Sequence, residues 1–335
     1  MNLPEPETLL RQLIEIPSIS GEEEAVGNFL QTLLGHLGFH VQPQEVFPGR
    51  NNLLATRPGH EPHILLCSHI DTVPPHIPFR ETKDRIYGRG ACDTKGVITS
   101  MLHAGKSLLA EGFQDFGYLF LVGEEVDHCG AIEARKLGLS PTACIVGEPT
   151  ECKLASGQKG IYKASLHATG VAGHSAYPES GHSAIPPLIE ALSRLQNYEW
   201  PEEEILGKTS LNIGTLQGGV AANVFAPKAE ATILLRLTCP LEDAEKIVEQ
   251  QVGPDIEIKK ISGNDPAHLV TFPGYDVETV AFNTDIPYLG FERNLLYGPG
   301  SIKVAHSAGE FIPKTELHEA ITTYSDLAKT SQESF

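Results

Sequence analysis

Short, unbroken apolar runs punctuate the first half of the chain. They are "HILLCS" (63–68), "YLFLVG" (118–123) and "ACIVG" (143–147), and runs of this kind are typical of strands that are buried on both faces. Apolar positions at helical spacing occupy the segments between and before them, namely 5–16, 22–38, 96–112 and 130–138. Strands that alternate with helices predict an α/β fold, with a mixed, largely parallel sheet flanked by helices.

The pattern changes near residue 156. "IYKASLHATGVAG" and "AEATILLRLT" alternate between apolar and polar positions, which is typical of half-exposed strands, while 182–197 and 241–252 have helical spacing. An amphipathic segment, "KTELHEAITTYSDLAK", closes the chain. We therefore predict a discontinuous α/β domain (1–155 and 267–335) that is interrupted by a smaller α+β domain (156–266).

Composition narrows the class of protein. The 335 residues include 43 acidic and 25 basic side chains, a formal charge of -18, which argues against a nucleic acid or an anionic membrane as partner. The sequence shows neither a secretory signal nor an apolar stretch long enough to span a bilayer. Its six cysteines form no CxxC pair, so buried free thiols and a cytoplasmic location are expected.

Each of the three apolar runs ends on side chains that bind metals. His69 and Asp71 follow the first run, Glu124 and Glu125 the second, Glu148 the third, and Asp93 lies in the glycine-framed loop "YGRGACDTKG". Ligands of open α/β sheets collect at the carboxyl ends of the strands, so these residues are expected to converge on one crevice.

Carboxylates at buried strand ends require compensating positive charge. One or two divalent ions would supply it, and imidazole with carboxylate but no thiolate suits catalytic zinc, cobalt or manganese. In this interpretation Asp71 holds the far nitrogen of His69, while one of the paired glutamates binds metal and the other acts on water as general base. Taken singly, the HxD pair is more commonly a loop cap, and adjacent glutamates are more commonly solvated.

Several ordered motifs carry a resemblance to a known family. "SHIDTVP", "YGRGACDTKG", "GEEVD", "GEPT", "GVAGHSAYP", "AANVFAPKAEATILLR" and "YGPGSIKVAHSAGEF" together resemble the dinuclear zinc peptidase and deacylase family that includes acetylornithine deacetylase, succinyl-diaminopimelate desuccinylase, carboxypeptidase G and aminoacylase. The resemblance covers nearly the whole chain. It implies that the inserted domain is a ferredoxin-like lid and dimerisation domain.

The resemblance also implies a role for each matching residue of the larger domain. His69 and Glu148 are ligands of the first metal, Glu125 and His306 of the second, and Asp93 bridges the two, followed by a cis peptide bond to Thr94. Asp71 orients His69, and Glu124 is the general base.

Three residues of the inserted domain match substrate-binding positions of the family. His174 corresponds to a histidine that reaches across a homodimer to polarise the scissile carbonyl, and Asn223 and Arg236 to residues that hold the substrate. Arg236 would pair with its α-carboxylate, which a guanidinium grips with two parallel hydrogen bonds. Without the resemblance, a surface histidine and an exposed strand arginine would be the favoured interpretations of His174 and Arg236.

Two short segments depart from the family pattern. "HSAGE" lacks an acidic residue that commonly precedes the final Glu310, and "NVFAP" replaces "NVIP". Neither change removes an expected ligand or the base, so an active enzyme is expected.

The expected reaction is metal-dependent hydrolysis of an amide in an N-acyl amino acid or dipeptide. The motifs are most similar to the acetylornithine deacetylase branch, including N-acetyl-lysine deacetylases, which would place the protein in arginine biosynthesis. The alternatives are a dipeptidase or carboxypeptidase, a succinyl-diaminopimelate desuccinylase, and a regulatory relative that binds acyl amino acids without cleaving them.

Overall fold

The computed structural model describes residues 3–335 and divides them into two compact units. The first contains the described residues up to Ser156 together with Leu269–Glu278 and Thr284–Phe335, and the second contains Gly157–His268 and Thr279–Asn283. In the short segment Thr279–Asn283 of the second unit, the Thr279 hydroxyl donates to the carbonyl of Ile205 at 2.8 Å.

Eight α-helices lie within residues 3–335. They are α1 (Pro6–Glu15), α2 (Glu24–His36), α3 (Lys95–Ala110), α4 (Cys129–Ala134), α5 (Ile185–Asn197), α6 (Leu241–Val252), α7 (Ile286–Leu289) and α8 (Lys314–Ser334). Two 3-10 turns, Arg135–Leu137 and Pro178–Ser180, complete the helical segments. No helix in this described range is long and apolar enough to cross a membrane.

Eighteen strands are formed by the same residues. They are β1 (His40–Phe47), β2 (Arg50–Thr56), β3 (Ile64–His69), β4 (Arg80–Glu81), β5 (Arg85–Tyr87), β6 (Phe116–Leu121), β7 (Ala143–Gly147), β8 (Leu154–Gln158), β9 (Gly160–Thr169), β10 (Glu202–Glu203), β11 (Gly207–Lys208), β12 (Ser210–Gly218), β13 (Lys228–Leu237), β14 (Ile256–Asn264), β15 (Ala267–His268), β16 (Val277–Val280), β17 (Asn294–Tyr297) and β18 (Phe311–Pro313).

The first unit is built on a six-stranded mixed sheet in the order β1-β2-β6-β3-β7-β17. Strands β6, β3, β7 and β17 are parallel, whereas β1 and β2 are joined to them antiparallel. Every residue of β3, β6 and β7 is buried, as their unbroken apolar sequences predict. The α/β class and the mixed sheet are therefore confirmed, and the C-terminal ends of β3, β6 and β7 lie side by side.

Helices α1, α3 and α8 pack together against this sheet. Leu13 of α1, Met101 of α3 and Leu327 of α8 are fully buried in one apolar cluster with the strands. The approach is close where α3 crosses β6, because a Cβ atom at Gly105 would lie 1.7 Å from the hydroxyl oxygen of Tyr118. This packing holds α3 against the sheet, and Asp93 lies two residues before the first residue of that helix.

The second unit has the strand and helix order β9-α5-β12-β13-α6-β14. Its sheet has the order β12-β13-β9-β14, and every neighbouring pair is antiparallel. This is the ferredoxin-like arrangement. Alternate residues of β13 are buried against apolar side chains of α5 and α6, including Leu188, Leu192 and Val248.

Candidate metal centre

His69 is the last residue of β3, and its ring is held in one tautomer. Its Nδ1 atom lies 3.0 Å from the backbone carbonyl of Asp71, and a carbonyl only accepts, so Nδ1 carries the proton. The side chain is 1% exposed. The opposite nitrogen, Nε2, is the one that a metal would bind, and it faces Asp93 at 3.1 Å and Glu148 at 3.7 Å.

Asp71 accepts hydrogen bonds in addition to the contact with His69 that the sequence predicted. Its carboxylate lies 3.5 Å from Nδ1 of His69, but it also accepts the backbone N–H groups of Glu124 at 3.1 Å and Glu125 at 3.3 Å. The Ser20 hydroxyl donates to the same carboxylate at 2.6 Å. Burial raises the pKa of Asp71, but these donors and His69 outweigh it and the pKa lies below its usual value. An ionised Asp71 therefore anchors the Glu124–Glu125 loop to the end of β3.

Asp93 lies just before α3, and its peptide bond to Thr94 is cis, as the resemblance implied. The Thr94 hydroxyl donates to the carbonyl of His69 at 2.6 Å, which ties the loop to the end of β3. The two carboxylate oxygens of Asp93 face different partners: Oδ1 lies 3.1 Å from His69 and Oδ2 lies 3.2 Å from His306. This side chain therefore belongs to two groups of potential ligands.

The five expected ligands fall into two groups that share Asp93. Nitrogen and oxygen atoms of His69, Asp93 and Glu148 lie within 4.8 Å of one another, and so do those of Asp93, Glu125 and His306. In the second group, His306 Nε2 lies 3.0 Å from Glu125 Oε2. His306 has a left-handed backbone with φ of 60°, a conformation that is uncommon for residues other than glycine.

The electrostatics of this cluster favour a bound cation. Burial raises the pKa of Glu148 and of Glu124 well above the usual value, and nearby His69 opposes this shift. For Glu148, the negative charges of Asp93, Asp285 and Glu125 raise the pKa further. Hydrogen bonds that His306 donates to Asp93 and Glu125 raise the pKa of His306 to about 10. Carboxylates outnumber imidazoles here, so protons are retained that a divalent ion would replace.

The donor set fits two divalent ions. Two imidazoles and three carboxylates, with no thiolate among them, suit zinc, cobalt or manganese in a catalytic site. Asp93 presents one oxygen to each group, which is the arrangement that a bridging carboxylate requires. The identity of the metal is left open by this donor set.

Two further residues lie beside Glu124: His128, which the sequence placed close to the base without a role, and Asp285, which it did not single out. His128 Nδ1 lies 3.0 Å from Asp285 Oδ1 and 3.7 Å from Glu124 Oε1, and its ring stacks on Tyr288 with 4.2 Å between centroids. His128 follows the glutamates in the chain, so its proximity was foreseeable. Asp285 precedes the short helix α7 and follows no apolar run, so periodicity carried no signal for it.

We expect Asp285→Asn to lower the pKa of Glu124. The negative charge of Asp285 is one of the influences that raise this pKa, and an asparagine oxygen still accepts the bond from His128. If Glu124 is the base, the acid limb of the kcat/KM profile, which reports its pKa, moves to lower pH. The exposed Asp127→Asn is the control and leaves the limb in place. An unmoved limb in Asp285→Asn would contradict the expectation.

The three expected residues of the second unit are placed within that unit. His174 is exposed, its Nδ1 atom accepts the N–H of Ala176 at 3.2 Å, and its backbone forms a bridge with Val224 in the "NVFAP" segment. Asn223 is exposed on the neighbouring turn. Arg236 is partly buried on β13, burial lowers its pKa, and no carboxylate among residues 3–335 forms an ion pair with it.

The fold and this cluster together define the class, a metal-dependent hydrolase of amide bonds. A family model described as a peptidase dimerisation domain matches residues 156–253. A peptidase M20 domain-containing protein of Schizosaccharomyces pombe is 37% identical over 329 residues, covering 95% of this chain and 82% of the relative. A protein of Aspergillus terreus named "Probable carboxypeptidase" is 38% identical over 369 residues, covering 96% and 85%. The chain belongs to the M20 family of peptidases.

Solved structures show the same fold at low sequence identity. A tripeptidase of Staphylococcus aureus superposes with a TM-score of 0.82 at 20% identity and covers 98% of both chains. A dinuclear metal-binding M20 peptidase of Bacillus subtilis superposes with a TM-score of 0.73 at 15% identity, again covering 98% of both chains. The solved structures show the fold, and the relatives of 37% and 38% identity support a peptidase, one of the alternatives stated above, without singling out the acetylornithine deacetylase branch.

Proposed function

We propose that the protein is a two-metal dipeptidase or carboxypeptidase that hydrolyses the amide bond next to a free C-terminal carboxylate. The observation that carries this proposal is the pair of ligand groups that share Asp93, with the largely buried carboxylate of Glu124, 11% exposed, beside them. The names of the two relatives support the hypothesis of a peptidase over that of a deacetylase.

Each ion would have three protein ligands in this proposal. His69, Asp93 and Glu148 would hold one, and Asp93, Glu125 and His306 the other, with Asp93 as the bridge. When bound, such ions polarise the scissile carbonyl and lower the pKa of water. Asp71 orients His69 and anchors the Glu124–Glu125 loop by its hydrogen bonds, so it holds members of both groups.

Glu124 is the proposed general base. Its carboxylate takes a proton from water as the water oxygen attacks the carbonyl carbon, and it then delivers that proton to the amine as the C–N bond breaks. Burial raises the pKa of Glu124, His69 opposes this, and neighbouring carboxylates add to it. A carboxylate with a raised pKa is a stronger proton acceptor, as a general base requires.

Arg236 is the proposed partner of the substrate carboxylate, with Asn223 assisting. A partly buried guanidinium that lacks a carboxylate partner among residues 3–335 has its hydrogen-bonding capacity available for an anion. Paired hydrogen bonds to a carboxylate would satisfy it. We further propose a homodimer, supported by the match to a peptidase dimerisation domain, in which His174 polarises the carbonyl in the partner's site.

A substrate panel tests the reaction. Purified protein would be given free-acid dipeptides, the same peptides with an amidated C-terminus, N-acetylornithine, N-acetyl-lysine and N-succinyl-diaminopimelate, with zinc, cobalt or manganese and again after chelation. We expect metal-dependent cleavage led by free-acid peptides. Amidation should lower kcat/KM about tenfold to a hundredfold, since a hydrogen bond to a charged group contributes about 1.5–3 kcal/mol.

The same substrate panel, measured with the Arg236→Met variant, separates recognition of the substrate carboxylate from catalysis. The variant should lose the preference for a free carboxylate, with kcat/KM lowered for free-acid peptides and nearly unchanged for amidated ones. Arg194→Met, which removes an arginine bonded to the carbonyls of Gln251 and Val252, is the matched control. Faster turnover of N-acetylornithine than of any peptide would return the assignment to the deacetylase, and binding without cleavage of any compound would favour the regulatory relative.

A further inference from the structure

A buried ion pair joins the two loops that carry candidate metal ligands. Arg89 precedes Asp93 by four positions, and Glu310 follows His306 by four. Arg89 Nη1 lies 2.5 Å from Glu310 Oε2, and the two side chains are 2% and 0% exposed. Two residues that are 221 positions apart in the sequence are therefore in direct contact, each within four positions of a candidate ligand.

The other oxygen of Glu310 reaches the ligand loop itself. Glu310 Oε1 accepts the backbone N–H groups of Cys92 at 3.2 Å and Asp93 at 3.3 Å. These bonds fix the backbone that presents the Asp93 carboxylate. Because Oε1 and Oε2 both accept hydrogen bonds, the Glu310 carboxylate is held in one orientation. It thereby links the loop that carries Glu310 to the backbone of Asp93.

Arg89 makes the corresponding connections on its side. Its Nε donates to the carbonyl of Pro75 at 3.2 Å, and Nη1 also donates to the carbonyl of Ser307 at 3.4 Å. Ser307 is the residue after His306. One guanidinium therefore bonds to the side chain and to the backbone of the segment that carries His306.

Burial makes this arrangement rigid. A charge that loses its partner in a buried position is strongly unfavourable, so neither side chain can leave the pair without penalty. The loops at Asp93 and His306 are consequently held at one separation, in which His306 Nε2 lies 3.2 Å from Asp93 Oδ2.

We propose that Arg89 and Glu310 are positioning residues that set the separation of Asp93 and His306 and thereby the affinity of the second ligand group for its ion. The inference deepens the proposed function and rests on it, because it takes Asp93, Glu125 and His306 as the ligands of one ion.

The second ligand group depends on the Arg89–Glu310 pair, called the clamp from here on, more than the first ligand group does. His69 and Glu148 follow directly from the buried strands β3 and β7, whose positions the core fixes. His306 is 51% exposed and has a left-handed backbone, in a segment without regular secondary structure. Loosening the clamp should therefore affect the second ion first.

Metal binding to Glu310→Gln and Arg89→Lys tests the proposal. Equilibrium dialysis with zinc gives the number of ions and their affinities, and the visible absorption of bound cobalt reports the geometry of each site. We expect the first ion to bind with nearly unchanged affinity and the second to bind about 10–100-fold more weakly, the usual effect of losing a partner that orients ligands. Turnover should recover as the metal concentration rises.

One control and the comparison of the two variants separate positioning from general destabilisation. Leu34→Ala removes a fully buried side chain of α2 in the same unit, and should lower the thermal midpoint while both ions bind normally. Arg89→Lys keeps the charge and should weaken the second ion less than Glu310→Gln, so the proposal stays testable if the latter folds poorly.

The outcomes distinguish the clamp from the proposed function. Wild-type affinity for both ions in Glu310→Gln and Arg89→Lys would overturn the clamp. A wild-type protein that binds two ions but cleaves no peptide would overturn the proposed function, and selective loss of the second ion in the variants would still support the clamp. Equal weakening of both ions would contradict the selective role.

Discussion

Glu124→Gln is expected to lower kcat by about 10²–10⁴-fold, the usual contribution of a general acid–base group, with both metal ions retained. Glutamine preserves the shape of the side chain but can neither take a proton from water nor return it to the leaving amine. Neither of the two groups that share Asp93 contains Glu124, which lies instead with His128 and Asp285. KM should change little, because the lost interaction belongs to the transition state. Metal content, kcat and KM measured on the same preparation check all three expectations.

The neighbouring Glu125→Gln is the matched control. It makes the same chemical change one residue along the chain, but Glu125 belongs to the second ligand group, 3.0 Å from His306. We expect this variant to lose affinity for one ion and to regain turnover at high metal concentration. Near-normal kcat in Glu124→Gln, or rescue of that variant by added metal, would show that Glu124 is not the base.

A mixture of Glu124→Gln and His174→Ala extends this test to the proposed dimer. If His174 serves the partner's site, a mixed dimer has one site with both residues intact. Random reassortment of equal amounts then restores about a quarter of the wild-type activity, since half of the dimers are mixed and each has one intact site of two. A mixture that remains as inactive as its components would remove His174 from the partner's site.

The strand-end residues of the site were predictable from the sequence because two local signals coincide there. An unbroken apolar run predicts a buried strand, and a histidine or carboxylate directly after it predicts a side chain at the edge of the sheet. His69 and Glu148 illustrate this, since β3 and β7 are wholly buried and adjacent. Parallel pairing then brings the ends of the strands together, although 79 positions separate these two residues.

Residues on loops gave no such signal. His306 was identified only through the resemblance, because no apolar run precedes it and its position depends on a turn with a left-handed residue. Asp285 and the Arg89–Glu310 pair were not assigned a role, since their contacts join segments 157 and 221 positions apart. Helical and strand periodicity report neighbours within an element and carry no information on contacts of this range.

The role of Asp71 shows a limit of motif spacing. The HxD pattern predicted a carboxylate on the far nitrogen of the histidine, whereas the nearest acceptor to Nδ1 of His69 is the backbone carbonyl of Asp71 at 3.0 Å. The carboxylate lies 3.5 Å from the same nitrogen and also accepts two N–H groups of the Glu124–Glu125 loop. Spacing placed the residue correctly, but only the fold reveals which of its oxygens faces which partner.

The sequence did not identify the class of substrate, for a related reason. The ligands and the base perform amide hydrolysis whichever amide is supplied, so they define the reaction and leave the substrate open. Discrimination among peptides and acyl amino acids depends on surrounding side chains such as Arg236, whose alternating strand pattern is equally typical of a solvated surface.

Removal of the metals should abolish turnover and lower stability by an amount that grows with pH. In the metal-free protein, burial raises the pKa of Glu124, Glu125 and Glu148, and hydrogen bonds to Asp93 and Glu125 raise the pKa of His306 to about 10. The folded state therefore binds more protons than the unfolded state above about pH 4.5, where unfolded glutamates titrate. Its free energy of unfolding falls as pH rises through this range, because ∂ΔG/∂pH follows the difference in bound protons.

Bound metal reverses this dependence, since it replaces those protons and binds more tightly as they leave. We expect a chelated sample to melt at a lower temperature at pH 8.5 than at pH 6, and added zinc to raise the midpoint more at pH 8.5. At a free zinc concentration of 1,000 times Kd, one site contributes about 4 kcal/mol. Asp93→Asn, which removes the carboxylate common to both groups, should show little zinc-dependent shift at either pH. A wild-type shift that shrinks as pH rises would contradict the view that protons and metal compete for these side chains.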